Sequence, residues 1–429
     1  MLNQKRLNAF YLWFPVLPLL GYWGLAYLLY NFGKYNTPPI SIESHIFVLA
    51  YLAIFAVSYR YGLRIKKEPH PRCQIMSDRS TQRILGFSSW MLFLGTLIFL
   101  YDKLSSGASS PDLVLNELYS IREEHLENTT FLTTLAVVPQ SFKSVAISAY
   151  FYALWRGIHI PKSIHIVIIA TVLLEIANMV LSASRGALFW TLSYVAFYLI
   201  YIQRINVFRE MFSLNNLLIK ALLFVLIIAA YSYFAWVAEN RVVSATAEYL
   251  GRQAYFQLKN SSRVDSVDYS RLGAEYQIFY YLTHGFEYTD AIIKHAPIIN
   301  FDIVSPLGIR VESQLRKLSP GYVHPAKVEL LAIMEEEGLN TSGWPTIFGA
   351  SLAYFGIIGS LIFSGVIGYA SGYASRKWLS LRSLGWLIIV TLIFSSLNMS
   401  FDWIVRDFDQ FVALAFGLYL VSTRSRNNM

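Results

Sequence analysis

Glu175, Asn178, Ser182 and Arg185 stand at i, i+3, i+7 and i+10, one face of an α-helix if the apolar run that holds them continues to the arginine. At 1.5 Å per residue Glu175 lies about 15 Å below Arg185. A carboxylate and an arginine in so apolar a run are candidates for function. Glu175 could exchange protons, and Arg185 could hold an anion. Glu175 and Asn178 would also serve as an interhelical hydrogen-bonding pair, and Arg185 as a snorkelling contact to lipid headgroups. The turn around Arg185, "SASRGA", has small residues and a glycine, Gly186, able to adopt positive φ. The arginine is therefore not needed to make the turn.

A second group lies in residues 237–345, which hold ten Lys or Arg, thirteen Asp or Glu and three His. Six of the ten are arginines, at 241, 252, 263, 271, 310 and 316, and a guanidinium fork grips phosphate oxygens in pairs where an ammonium offers a point charge. Acidic residues outnumber basic ones, so the segment is not a cationic surface, and a phosphate site there must be a local cluster made by folding. His284, His295, His324 and Glu329 add titratable groups. Residues 237–345 hold no His-x-x-x-His or Asp-x-Asp pair, the "RDFD" stretch from Arg406 to Asp409 reads as a cap for the start of the tenth span, and the chain has no P-loop, dinucleotide-binding glycine turn or Gly-x-Ser-x-Gly elbow. No metal and no cofactor are expected.

The elements that must position these residues belong to a membrane. The 429-residue chain is 55% hydrophobic and only 14% charged, whereas soluble domains carry about 25% charged residues. Apolar runs long enough to cross about 30 Å of hydrocarbon read as ten spans, at 10–30, 42–59, 84–101, 133–155, 164–181, 187–202, 217–236, 346–370, 384–401 and 410–422. The first run has no small-residue cleavage site after it and reads as a retained span. The expected fold is all-α, one polytopic helix bundle over residues 1–429.

Orientation follows from Lys and Arg. With Lys5 and Arg6 inside, the densest short basic segment, Arg60 to Arg83, is inside too, as are Arg156 and Lys162, Arg204 to Lys220, Arg376 to Arg382, and Arg424 and Arg426. Both termini are then cytoplasmic. The net charge of +8 tracks this topology, and no nucleic-acid module accompanies it. The single cysteine, Cys73, falls inside, so no disulfide staples an outer domain. Residues 237–345 form a large outer segment, exempt from the charge rule by length, and amphipathic stretches such as "AEYQIFYYLTHGFEYTDAIIKH" predict a helical cap. Residues 102–130 form a smaller outer element. The eighth span has glycines at 349, 356, 359, 365, 368 and 372, which predicts close helix packing.

The "SASRGA" turn, the outer stretches "YYLTHGFEYTDAI" and "HPAKVELLAIMEEEGLNTSGWPTIFGA", and the following "LAYFGIIGSLIFSGVIGY" helix with its Phe-Gly-x-x-Gly core make the chain resemble the O-antigen polymerases of the Wzy type, the oligosaccharide repeat unit polymerases. The resemblance implies a GT-C-like glycosyltransferase of the bacterial inner membrane. Such an enzyme joins undecaprenyl-pyrophosphate-linked glycan repeats on the periplasmic face, using lipid-linked oligosaccharide substrates, alongside a chain-length regulator and a flippase. The family's Arg-x10-Gly pattern is met by Arg310 and Gly321, whereas Arg185 has Ala196 at that distance.

Transfer of a glycan from a lipid pyrophosphate must stabilise the charge that develops on the leaving group, and positioned arginines do this without a metal. Arg185 and Arg310, with Arg241 or Arg271, are the expected pyrophosphate ligands. The acceptor hydroxyl needs a general base, for which His324, beside Pro325, is favoured over His284, Glu329 and Glu175. An O-antigen ligase, which shares the donor, and a lipid-linked oligosaccharide flippase are the alternatives.

Overall fold

A computed structural model describes residues 12–64, 76–105, 131–181, 193–203, 252, 255–259, 269–299, 332–337, 339, 346–398 and 408–426. These residues are mostly helical and include no strand, only one isolated β-bridge between Tyr35 and Leu258. The principal helices are α1 (Leu17–Phe32), α2 (Ile42–Arg64), α3 (Asp78–Ser105), α4 (Phe131–Gln140), α5 (Lys143–Arg156), α6 (Lys162–Leu181), α7 (Tyr269–Thr283), α8 (Gly285–His295), α9 (Ile347–Leu381), α10 (Leu384–Asn398) and α11 (Phe408–Arg426). Three of them are long and apolar enough to cross a membrane: α2, the Asp78–Asp102 part of α3, and α9. Shorter apolar helices cover Ser193–Ile202, Leu384–Leu397 and Val412–Ser422. The span read at 217–236 lies outside the described residues, as does the smaller outer element but for the end of α3.

The chain divides into two compact units. The first comprises Met1–Phe14, Lys34–Asn36 and Asp78–Phe279. Here α3 packs along α4, α5 and α6. The span read as continuous over 133–155 is two helices. Pro139 lies near the end of α4; it has no N–H to donate and its ring crowds the preceding turn. The chain then turns through Ser141 and Phe142, whose N–H groups donate to Val137 and Val138 and to Pro139 respectively. Gly95 lets α3 approach this break, because a Cβ there would stand 2.7 Å from the Gln140 nitrogen. At the far end of α5, Arg156 pairs with Asp78 at 3.3 Å, and Gln82 Nε2 donates to the His159 carbonyl at 2.7 Å.

The second unit comprises Pro15–Gly33, Thr37–Ser77 and Tyr280–Met429. Its spine is the pair α2 and α9, which run in the same direction with backbones close enough that three positions admit only glycine. A Cβ at Gly372 would lie 2.1 Å from the Tyr59 carbonyl oxygen, one at Gly368 2.5 Å from that of Phe55, and one at Gly62 2.4 Å from that of Tyr369. Ser364 Oγ donates to the Tyr51 carbonyl at 2.7 Å, and Arg376 Nη1 donates to that of Leu63. This is small-residue packing of the kind membrane helices use.

Helix α9 is not straight. Gly356 has φ 68° and ψ −174°, a backbone state essentially confined to glycine. Tyr51 meets both limbs. Its ring lies 5.3 Å from that of Phe348 and its carbonyl accepts from Ser364, although sixteen residues of straight helix would put those two about 24 Å apart. The limb before Gly356 therefore folds back toward α2. The break frees the N–H groups of Ile357 and Ile358, which donate to the carbonyls of Pro297 (3.0 Å) and Ile298 (2.9 Å).

Candidate functional site

Helix α8 brings titratable side chains together in the second unit. An aromatic cluster anchors it. Phe286 is fully buried and packs edge-on against Trp23 (5.6 Å), Tyr27 (5.7 Å) and Tyr30 (5.4 Å) of α1, and Phe348 lies 4.9 Å from Trp23. Edge-to-face pairs at these spacings add about 0.5–1.5 kcal/mol each beyond burial. Gly285 makes the approach possible, since a Cβ there would meet Thr346 at 2.2 Å and Trp23 at 3.0 Å.

His284, Glu287 and Asp290 recur at three-residue intervals along this element, a spacing that places neighbours on one side of a helix. Their surroundings differ. Buried His284 has Nδ1 2.9 Å from the Tyr280 carbonyl. A carbonyl only accepts, so Nδ1 carries a proton and donates it here. The ring stacks on Tyr280 at 5.2 Å and meets Tyr288 edge-on at 5.5 Å.

Glu287 is half-buried and has no ion pair or hydrogen bond to another described residue. Burial pushes its carboxyl up to about 7. Burial also acts to raise Asp290, but there it is outweighed. One carboxylate oxygen accepts from Ser41 N–H (2.7 Å), Ser41 Oγ (2.6 Å) and Ser44 Oγ (2.8 Å), and Lys294 stands 3.5 Å from the other. The carboxyl of Asp290 is thus held below the usual range. Two carboxylates three residues apart are driven in opposite directions, Glu287 up by burial and Asp290 down by its hydrogen bonds, a separation also found at acid–base sites.

Asp290 also closes the N-terminus of α2. Ser41 Oγ accepts from Ser44 N–H at 3.3 Å as an N-cap, and the Asp290 anion sits where the helix dipole favours it. Asp290→Ala should therefore cost on the order of 3 kcal/mol, within the range for hydrogen bonds to a charged group. Thermal unfolding in detergent reads the loss. Because Asp290 is depressed, its contribution is present above the unfolded carboxyl range and disappears as pH falls through its lowered value. The gap between wild type and variant should close in acid. An unchanged gap there would show that the network stabilises by packing alone.

Beyond Asp290, Lys294 and His295 both reach Glu337, at 3.0 and 3.1 Å. The His295 contact leads in holding the half-buried Glu337 carboxyl low.

The sequence candidates fall out as follows. His284 belongs to the α8 cluster. Glu175 lies in the first unit, where Lys143, the first residue of α5, pairs with it at 2.8 Å. Arg271 lies on α7, its side chain outside the described residues. Arg185, Arg241, Arg310, His324 and Glu329 lie outside the described residues. Sequence reasoning missed Glu287, Asp290 and Lys143. A signal for the first two existed, since "HGFEYTDA" repeats a titratable residue every third position. A signal for Lys143 existed too, as a charge within an apolar run. Among the described residues no three His, Cys, Asp or Glu come together as a metal group would require.

Compared with protein-family models, with curated proteins and with solved structures, the chain finds no match in any of the three.

Proposed function

We propose that the protein is a metal-independent glycosyltransferase of the bacterial inner membrane that polymerises a surface polysaccharide, lengthening a glycan carried on undecaprenyl pyrophosphate by transferring it to a new lipid-linked repeat. The geometry that carries this reading is α8, where half-buried Glu287 stands one turn from buried His284 on an aromatic anchor formed by Phe286, and where burial pushes the Glu287 carboxyl up to about 7. A carboxylate that takes up a proton near neutrality can deprotonate a sugar hydroxyl as the glycosidic bond forms. His284, fixed one turn away by a backbone carbonyl, orients the acceptor, and Asp290 holds the helix on α2. Arginines of the outer segments, Arg185 and Arg310 with Arg241 or Arg271, would receive the negative charge that develops on the departing pyrophosphate. In this reading the chain crosses the bilayer about ten times in a GT-C-like bundle with both termini cytoplasmic, and it works beside a flippase and a chain-length regulator.

Cells lacking the protein should accumulate lipopolysaccharide with single repeats and lose the ladder of longer chains on a gel; loss of even the single-repeat band would point to a ligase. Arg185→Ala should reproduce the single-repeat pattern with the protein still inserted at normal levels. A normal ladder from that variant removes Arg185 from the site.

A second reading has a specific observation in its favour. Two apolar elements are interrupted, after Pro139 and at Gly356, and the Lys143–Glu175 ion pair sits beside the first interruption. Broken helices with charges near mid-membrane are the pattern of transporters, and a lipid-linked oligosaccharide flippase would use them. No internal sequence repeat accompanies the breaks, which is why the enzyme is preferred.

A further inference from the structure

We infer that the seam between α2 and α9 ends in a binding site for an anionic phospholipid, its phosphate held by Arg60 and Arg64 of α2 with Lys377 of α9 and its acyl chains lying along the two helices.

Both helices are fit to span a bilayer, and their exposed surfaces are graded in the same order. On α2, exposed Val57 is followed one turn later by Tyr61, which is 67% exposed, and then by Arg64. On α9, Ile362 and Val366 precede Tyr369, which is 40% exposed, then half-buried Tyr373 and Lys377. Steps of three and four residues keep each series on one face. The two faces meet. The Tyr61 ring lies 6.2 Å from that of Tyr369, Tyr369 stacks on Tyr373 at 6.4 Å, and the Lys377 ammonium stands 5.3 Å from the Tyr373 ring centre. On the apolar side of the rings the helices stay close, since a Cβ at Gly365 would stand 3.4 Å from Ile54. Hydrocarbon, then amphipathic rings, then cations is the order of groups met from the tails of a lipid to its phosphate.

The charge at this end is not balanced within the pair. Arg60 and Arg64 stand one turn apart, both exposed, and neither has an ion pair or hydrogen bond to a described residue. The single acidic residue of α2, Glu43, is at its opposite end, and α9 has none. Arg376 is already engaged, donating to the Leu63 carbonyl and so holding the two basic ends side by side. The counter-charge must come from outside the two helices. Guanidinium forks match phosphate oxygens in pairs, and basic clusters between membrane helices take lipid headgroups.

Length favours a lipid over a free phosphate. The graded face of α9 runs fifteen residues from Ile362 to Lys377, about 22 Å of helix. That is the depth of one leaflet, half of a bilayer about 40–45 Å thick with its headgroups. A free phosphate would use the cations alone, whereas a phospholipid uses the whole face.

Native mass spectrometry of the purified protein tests this. Wild-type protein, stripped of lipid and offered equal amounts of dioleoyl phosphatidylglycerol and dioleoyl phosphatidylethanolamine, should retain the phosphatidylglycerol severalfold more strongly. Arg60→Gln combined with Arg64→Gln should abolish that preference. Both side chains are exposed and without a described partner, so the variant should keep the wild-type melting temperature. Arg79→Gln combined with Arg83→Gln removes the same charge, at the same spacing, from exposed positions on α3, and should leave the preference intact. Inorganic phosphate in large excess should not displace the lipid. Equal retention of the two lipids by wild type, an equal loss in both double variants, or displacement by phosphate overturns the inference. None of these readings depends on glycosyl transfer.

Discussion

Glu287→Gln should abolish polymer formation while raising the melting temperature of the purified protein at pH 8. The two effects share one cause. The carboxyl is held near 7 by burial, against an ordinary carboxylate value of about 4.3. Between those values the unfolded chain has already released the proton that the folded chain retains, so stability falls as pH rises through this window. Above pH 7 the folded protein carries the full penalty of a desolvated anion. An isosteric neutral amide relieves it, and with allowance for partial solvent access the gain should be about 2 kcal/mol. The rate should move the other way. Loss of a general base costs about 10²- to 10⁴-fold, and wild-type activity should rise with pH to a plateau with an apparent midpoint near 7, as the base deprotonates. A Gln variant that is both more stable and inactive would separate catalysis from architecture, because a structural residue would lose both together. An active Gln variant would remove Glu287 from the chemistry.

Gly372→Val should cause the largest loss of stability. The position faces backbone, and the nearest atom to an added Cβ is the Tyr59 carbonyl oxygen at 2.1 Å, with the Leu63 nitrogen at 3.1 Å. No rotamer change can clear a carbonyl within a helix, so α2 and α9 must separate and give up the Ser364 and Arg376 hydrogen bonds that cross between them. Overpacking alone costs about 1–3 kcal/mol, and the lost contacts add to it. The expected readout is a sharp fall in monodisperse protein after extraction and a lowered melting temperature in what remains. Gly24→Ala is the control. Nothing lies within 4 Å of a Cβ there, and alanine improves helix propensity by about 1 kcal/mol, so that variant should be neutral or slightly stabilised.

These two residues show how unevenly the sequence discloses the protein. Gly368 and Gly372 could be read as a packing face because four-residue spacing is a local pattern, and the structure supplies α2 as the helix they meet. Gly356 is one of six glycines in the same run, and no periodicity marks it as the break; the amides that follow it are met by carbonyls arriving from Pro297 and Ile298. The interruption after Pro139 was within reach, since proline followed by Gln140, Ser141 and Lys143 is a helix breaker followed by polar residues. Hydropathy averaged over twenty residues passes across it.

The site was harder to see. Glu287 looks in sequence like one more acidic residue on an amphipathic cap, and only the packing of its neighbour Phe286 into Trp23, Tyr27 and Tyr30 makes it a desolvated one. Asp290 finds Ser41 across 249 residues of chain, and Glu175 finds Lys143 across 32. Partners at such separations follow from topology, which residue spacing alone does not specify.

The most direct measurement is polymer formation by the purified protein in detergent, supplied only with undecaprenyl-pyrophosphate-linked repeats. Wild-type protein should make a ladder of products that Glu287→Gln does not. Failure of the wild-type protein to form any glycosidic bond, with translocation of the same lipid across reconstituted liposomes, would contradict it and establish the transporter instead.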